Sequence, residues 1–278
     1  MEAAKPVSAS VLYLYGLLRA GADTSDVEAI EEASLVFLIE HGGIACAATI
    51  VPASQYDRRL DGRPEDVAWL APRAWRHHDV LRRLHMRTAV VPLKFGTLCA
   101  GMDDVRAMLE RLGPTVTDLL SRIEARDEWT LRIAANEPAI LAGLASDSDV
   151  RRLQQDVERL PEGRAYFARK QLQKATADRV AAFVDDIEAA VSGRLAALGA
   201  EVAHMPRPRR GDRERSADAE TAILVPRSAF GDVEESLRVL EDAHGAQVRF
   251  ELVGPWPPYS FASISQSMPP AYDSHSPL

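Results

Sequence analysis

Cysteine is nearly missing from this chain: Cys46 and Cys99 are the only two in 278 residues. Both lie in apolar stretches, Ile44–Ala47 and Thr97–Ala100, which reads as a pair of buried, reduced thiols. A zinc site needs closer spacing and more ligands, and nothing in so cysteine-poor a chain supports a disulfide. Positive charge is also in deficit, with 33 Lys and Arg against 41 Asp and Glu and a net charge of -8. That balance removes the electrostatic case for nucleic-acid binding. It favours solubility and a monomer or small assembly. Long apolar runs are missing too. The uncharged stretch Gly42 to Tyr56 contains two glycines and a proline and is too short to span a bilayer. The polar segment Met1–Ser10 has no apolar run of signal-peptide length. No membrane partner and a cytoplasmic location are therefore expected. Catalytic signatures are absent as well: there is no GxSxG, P-loop, GxGxxG or HExxH. No enzyme, no cofactor and no catalytic or metal-ligating residue is expected.

Hydrophobic residues make up 46% of the chain and charged residues 27%, a normal balance for a globular protein large enough to bury a core. Leu12–Tyr15 reads as a first strand closed by Gly16. Thr24 or Ser25 is placed to cap a short helix through Ile30. Leu35–Ile39 and Ile44–Val51 read as a hairpin turned at His41-Gly42-Gly43. Arg63–Arg87 reads as helix with Val80, Leu81 and Leu84 inward, broken or restarted at Pro72. Ala89–Gly96 reads as an edge or terminal strand because Pro92 interrupts it. Asp103–Glu128 is the clearest helix, with Val105, Met108, Leu109, Leu112, Val116, Leu119, Leu120 and Ile123 at spacings of three and four and a kink expected at Gly113-Pro114.

A second unit is expected from Glu128. Trp129, Leu131 and Ile133 alternate with polar neighbours as a strand. A helix-rich stretch, Pro138–Leu198, follows. Two strands come next, Val202–Met205 and Thr221–Val225, then a helix over Asp232–His244 and a last strand over Val248–Leu252. The fold class this predicts is α+β with two domains: an N-terminal α/β domain with its connector helix (1–127) and a C-terminal ferredoxin-like βαββαβ domain with a long helical insertion (128–262). An extended tail, 263–278, follows, flexible or docked.

His77, His78 and His85 share one predicted helix. A metal would want a third ligand and closer spacing, and Arg82 sits beside His78, so exposed or interdomain histidines are expected. The carboxylate pairs Asp103-Asp104, Asp185-Asp186 and Glu234-Glu235 diverge on a helix and form no dyad. Five arginines in the loop Pro206–Ala219 come without an aromatic residue for base stacking and are diluted by Asp212 and Glu214, the pattern of a solvated loop. Gly163–Gln171 opens the long helix. Tyr166 and Phe167 are either an aromatic core anchor beside a basic face or a partner-facing patch.

The segment Gly254-Pro255-Trp256-Pro257-Pro258-Tyr259-Ser260-Phe261 cannot continue a helix or a central strand, and its aromatic residues carry large apolar area. It must dock, either on the protein's own body or on a partner, and its position after a core strand favours the former. Together with Leu12-Tyr13-Leu14-Tyr15-Gly16, Val91-Pro92-Leu93-Lys94-Phe95-Gly96-Thr97, Glu128-Trp129-Thr130-Leu131-Arg132 and the Gly163–Lys170 helix start, it resembles the gas vesicle GvpL/GvpF family, over nearly the whole chain. The arginine-rich loop is a departure from that likeness. The resemblance implies a cytoplasmic, gas-vesicle-associated accessory protein of gas vesicle assembly. Such a protein binds the hydrophobic structural protein (GvpA type), keeping it soluble or nucleating the shell, with other accessory proteins as further partners or with a place in the shell as a minor component. A subunit with exposed apolar surface and open strand edges aggregates unless covered. The competing reading is a small-molecule-binding ferredoxin-like enzyme. Tyr15, Phe95, Trp256 and Tyr259 are the candidate partner-binding or interdomain residues.

Overall fold

A computed structural model describes residues 10–56, 67–144, 148–204, 219–262 and 264. The expected helix start at 63–66, the arginine-rich loop up to residue 218 and the tail, Ile264 apart, lie outside the described residues. The fold is mixed α+β with two sheets. Its residues divide into two compact units: one runs up to Glu128 and takes in the residues from Trp256 onward, and the other is Trp129–Pro255.

In the first unit the sheet order is β2-β3-β1-β4, with β5 also paired to β1. The strands are β1 (Ser10–Arg19), β2 (Phe37–His41), β3 (Ile44–Pro52), β4 (Val90–Pro92) and β5 (Leu98–Cys99). Gly16 does not close β1, as the sequence suggested. The strand continues to Arg19, and its register against β3 shifts between Leu14 and Gly16. The shift resets the alternation. Val11, Tyr13 and Tyr15 face one core cluster, and Leu18, not Leu17, is the next residue to join it. The hairpin β2–β3 turns at Gly42 and Gly43, both at positive φ, where glycine has no Cβ to clash. The expected strand Ala89–Gly96 is shorter than its bounds, and β5 lies beyond them. β4 ends at Pro92, and the chain leaves the sheet and rejoins it at Leu98.

No helix forms over Thr24–Ile30. Asp23 accepts hydrogen bonds from the Ser25 amide and hydroxyl, and the next residues pair as extended chain. Val36 N–H donates to Val27 O at 3.0 Å, and Ala29 N–H to Ser34 O at 2.8 Å. The Ile30 amide donates to Tyr15 Oη at 2.7 Å. The Val36 and Ala29 bonds engage groups that an α-helical ladder would use, and the Ile30 bond is to a tertiary partner. The payoff is burial of Val27 and Ile30.

Helix α1 is one turn, Ala53–Tyr56, and α2 spans Val67–His85, running through Pro72. Helix α3, Met102–Ile123, ends earlier than expected and is unbroken at Gly113-Pro114. All of its predicted apolar positions are buried except Leu119, which is half-buried. Asp103 and Asp104 in its first turn and Arg122 in its last complement the helix dipole.

The second unit has the sheet order β7-β8-β6-β9. Its strands are β6 (Arg126–Ala135), β7 (Glu201–His204), β8 (Ala219–Pro226) and β9 (Val248–Trp256). The helices are α4 (Glu137–Gly143), α5 (Ser148–Arg159), the 36-residue α6 (Glu162–Ala197) and α7 (Phe230–His244). Val184, Ile187, Val191 and Leu195 of α6 share one core with Val233, Leu237 and Leu240 of α7 and with Leu131, Ile133, Ile223 and Val225 of the sheet.

A Cβ at Gly16 would lie 2.8 Å from Val90 Cγ2, 3.0 Å from Val91 O and 3.1 Å from Leu81 Cδ2. Backbone on one side leaves little room to yield, so Gly16→Ala is expected to destabilise the protein by about 1–3 kcal/mol. Chemical denaturation checks this, and an unchanged midpoint would refute the close packing of α2 on β1.

Candidate functional site: an aromatic and histidine cluster on helix α2

Helix α2 presents two adjacent histidines in different directions. His77 points into the core of the first unit and is 4% exposed; His78 lies on the flank. Neighbouring helical residues are about 100° apart, so fixing one inward turns the other toward the side. His77 and His85 are both buried, so neither is an exposed histidine, and the partners of His77 place it in the core of the first unit. Tyr13 and Tyr15, two apart on β1, form the wall that receives His77.

Tyr13 Oη is 3.0 Å from His77 Nδ1 and accepts from the Gly96 amide at 3.0 Å. The Tyr15 ring stacks on His77 with centroids 5.7 Å apart, and Phe95 meets the same imidazole edge-on. His77 also hydrogen-bonds the Leu93 backbone. This network assigns Nδ1 as the acceptor of the Tyr13 hydroxyl proton. Burial is the main reason the His77 pKa falls from the ordinary 6.5 to about 4, so the ring is neutral. Burial likewise pushes the Tyr13 and Tyr15 phenols above the usual tyrosine range. Beside them, Glu31 accepts from Tyr56 at 2.5 Å and from Arg73 Nε at 2.9 Å, and the Arg73 guanidinium lies 4.2 Å from the centre of the Trp69 ring. These contacts tie α2 to the extended excursion after β1.

On the flank, His78 Nδ1 is 3.0 Å from Tyr259 Oη, and their rings are stacked at 6.0 Å. Trp256 lies 5.6 Å from the same imidazole, and Trp75 meets it edge-on at 6.5 Å. Burial, with Arg82 adding to it, lowers the His78 pKa and keeps the ring uncharged. The proline–aromatic segment is docked on its own chain. Pro257, Pro258, Phe261 and Ala262 are buried, and Glu128 accepts from the Ser260 amide at 2.7 Å and from its hydroxyl at 2.8 Å. Burial raises the Glu128 pKa, against the opposing pull of the two Ser260 bonds. His85 is 2.9 Å from Asp127, the residue before Glu128.

Of the four residues singled out by the sequence, Trp256 and Tyr259 come together on this flank. Phe95 is half-buried against the core cluster, and Tyr15 has no exposed surface. Sequence reasoning missed Trp75, 74% exposed, and His78 as the platform under the segment. A tryptophan three residues before a histidine on a helix is the signal that was available. Among the described residues no group of three or more His, Cys, Asp or Glu side chains could hold a metal, and no helix is long and apolar enough to cross a membrane. Cys46 and Cys99 are both buried and free.

A family model described as gas vesicle synthesis protein GvpL/GvpF matches residues 11–263. The chain belongs to that family. It is 30% identical over 240 residues to gas vesicle protein L of Streptomyces sp. (strain CB03234), covering 82% of this chain and 84% of the relative. It is 27% identical over 199 residues to gas vesicle protein F of the same organism, covering 71% and 80%. The crystal structure of the gas vesicle protein GvpF from Anabaena sp. PCC7120 superposes with a TM-score of 0.71 at 17% identity, covering 92% of this chain and 100% of that one. That of GvpF from Microcystis aeruginosa gives 0.61 at 16% identity, covering 91% and 99%. These two likenesses show the fold. Membership of the GvpL/GvpF family implies a role in gas vesicle assembly.

Two outcomes follow from the cluster. Between pH 6.5 and 4 the unfolded chain binds a proton at residue 77 that the folded chain does not, so stability falls as pH drops through that window. The loss at its lower end is about 3 kcal/mol. Thermal melts from pH 7 to 4.5 should show a flatter dependence for His77→Gln than for the wild type, and equal slopes would assign the proton uptake to another group. Separately, Glu128→Ala leaves the Ser260 amide without its acceptor at a cost of about 1–3 kcal/mol. Hydrogen exchange at residues 259–262 should accelerate about tenfold or more, with Glu128→Gln in between. Unchanged exchange would mean that burial alone holds the segment.

Proposed function

We propose that this protein is an assembly factor that binds the hydrophobic gas vesicle structural protein (GvpA type) through the α2 flank. The observation that carries the reading is the cluster of Trp75, Trp256 and Tyr259 around an uncharged His78, on a chain whose net charge is -8. Aromatic residues with a polar tip are suited to covering an apolar partner while remaining wet when free. The docked proline–aromatic segment supplies a rigid edge to that surface and loses little entropy on binding. Keeping the subunit from aggregating and delivering it to a growing shell use the same contact; nucleation and a minor place in the shell are variants of it. Other gas vesicle accessory proteins are further partners in this reading, with the cytoplasm and the vesicle surface as the location. Phe95 and Tyr15 act behind the surface by holding α2 in place.

A non-catalytic role is part of the proposal. His77, Tyr13 and Tyr15 are engaged by one another, by backbone groups and by packing, which supports a structural use of the buried titratable groups. For the second unit we propose the ferredoxin-like assignment. Its chain order of strand, helices, two strands, helix, strand, with β6 between β8 and β9, supports that reading. We place the domain boundary near Glu128, with the segment from Trp256 returning to the first domain.

The test is co-purification with the main structural protein. Wild type is expected to capture it, and Trp75→Ala/Trp256→Ala/Tyr259→Ala is expected to lose at least about 90% of the captured material while keeping its circular dichroism, since central aromatic anchors dominate interfaces. Capture retained by the triple variant would move the contact off this flank. No capture by either protein would sink the reading.

A further inference from the structure

The start of α6 carries a feature that neither the core nor the α2 flank explains. Tyr166 and Phe167 are 54% and 67% exposed, which contradicts the core-anchor reading of this stretch and leaves two large rings facing water. The buried side of the helix here is Ala165 and Ala168. Between residues 162 and 174 stand four cations, Arg164, Arg169, Lys170 and Lys174, and one carboxylate, Glu162. None of the four cations has a carboxylate partner among the described residues. Nearby Arg152 and Arg179, by contrast, are both paired with Asp149. Lys170 Nζ lies 5.8 Å from the centre of the Tyr166 ring. Phe167, Lys170, Gln171, Gln173 and Lys174 lie together on an open face of the helix. Phe167, Lys170, Gln171 and Lys174 share one helical stripe by spacing. In a chain of net charge -8 this is a local excess of positive charge around an apolar anchor.

The same unit carries the complement. Helix α7 holds five carboxylates, Asp232, Glu234, Glu235, Glu241 and Asp242, against one cation, Arg238, which pairs with both Glu235 and Asp242 and leaves the helix with a net negative charge. Its inward residues are Val233, Leu237 and Leu240; Asp232, Glu234, Glu235 and Asp242 face water, with Val239 exposed between them. Within one chain these two faces do not meet. Helix α7 packs on the later part of α6, from Phe183 and Val184 onward. That lies about 15 Å beyond Lys174 along the helix.

The geometry points to a contact between copies of this chain, in which the basic aromatic face of α6 (Phe167, Lys170, Lys174) docks on the acidic face of α7 (Glu235, Val239, Asp242) of a second copy. Because each copy carries one face of each kind, two copies can close reciprocally into a dimer or continue head to tail. Two helix faces are a small interface, so each contact is weak, micromolar or weaker. It uses neither Trp75 nor Trp256, and it stands or falls independently of partner binding at α2.

The test is sedimentation velocity on the full chain up to about 200 µM, where a contact of that strength is populated. Wild type is expected to show a weight-average mass that rises with concentration above that of the monomer. Lys170→Glu/Lys174→Glu and Glu235→Lys/Asp242→Lys should each weaken association about tenfold or more, and mixing the two should restore it. Phe167→Ser should weaken it without altering charge. Circular dichroism confirms that each variant folds. A monomeric wild type across the range, association indifferent to both reversals, or a mixture that stays monomeric would each overturn the proposal.

Discussion

The first unit depends on the way a buried strand disposes of its tyrosine hydroxyls. Tyr13 and Tyr15 fill the centre of β1 with large rings, yet each brings a phenol that cannot be left alone in an apolar interior. Tyr13 meets the His77 imidazole and the Gly96 amide, and Tyr15 meets the Ile30 amide. Each of these bonds pins a different piece of chain to the same strand: helix α2, the loop between β4 and β5, and the excursion that precedes β2. Without a register shift near Tyr15, Leu18 would face the other side of the sheet and leave this core.

The α2 flank is a consequence of that arrangement. His77 is held inward by two tyrosines, so His78 is held at the side, where Trp256 and Tyr259 meet it. Glu128 then closes the segment by accepting both hydrogens of Ser260. The polar and aromatic parts of the surface are thus tied to the same rigid core, and a partner that docks there need not order it. The result is a surface whose aromatic area lies beside the ion pairs of Asp79 with Arg82 and Arg83.

The second unit places its charge differently. Helix α6 is longer than the core it serves. Its later half is buried by the sheet and α7, while its first half rests on α5 and shows the other side to water. A helix that outruns its core exposes whatever residues it carries there. In this chain they are aromatic and basic, and α7 supplies the opposite charge on its outer face. Charge segregated between two helices of one unit satisfies itself between copies, because the geometry of a single copy keeps the two faces apart.

Much of the architecture was legible in the pattern of apolar residues. The period of Val105 to Ile123 and of Val180 to Leu198 determined two helices and their inward faces, since only one stripe of a helix can be buried. Alternation over Trp129–Ala134 and Val248–Leu252 determined strands, and Gly42-Gly43 determined a turn. The prolines and aromatics of Gly254–Phe261 determined a docked, extended segment. What local pattern could not supply was the identity of remote partners. Thr24–Ile30 reads as a capped helix until the Tyr15 hydroxyl, far along the chain, takes the Ile30 amide. Gly16 reads as a strand end until Val90 and Leu81 crowd it from other elements. Which of two adjacent histidines is buried, and whether Tyr166 and Phe167 meet a core or water, depends on packing across distances in sequence that no local period encodes. The sequence by itself determined the elements, because propensity and burial act within a few residues. Only the tertiary structure decided the surfaces, because exposure is a property of what the rest of the chain leaves uncovered.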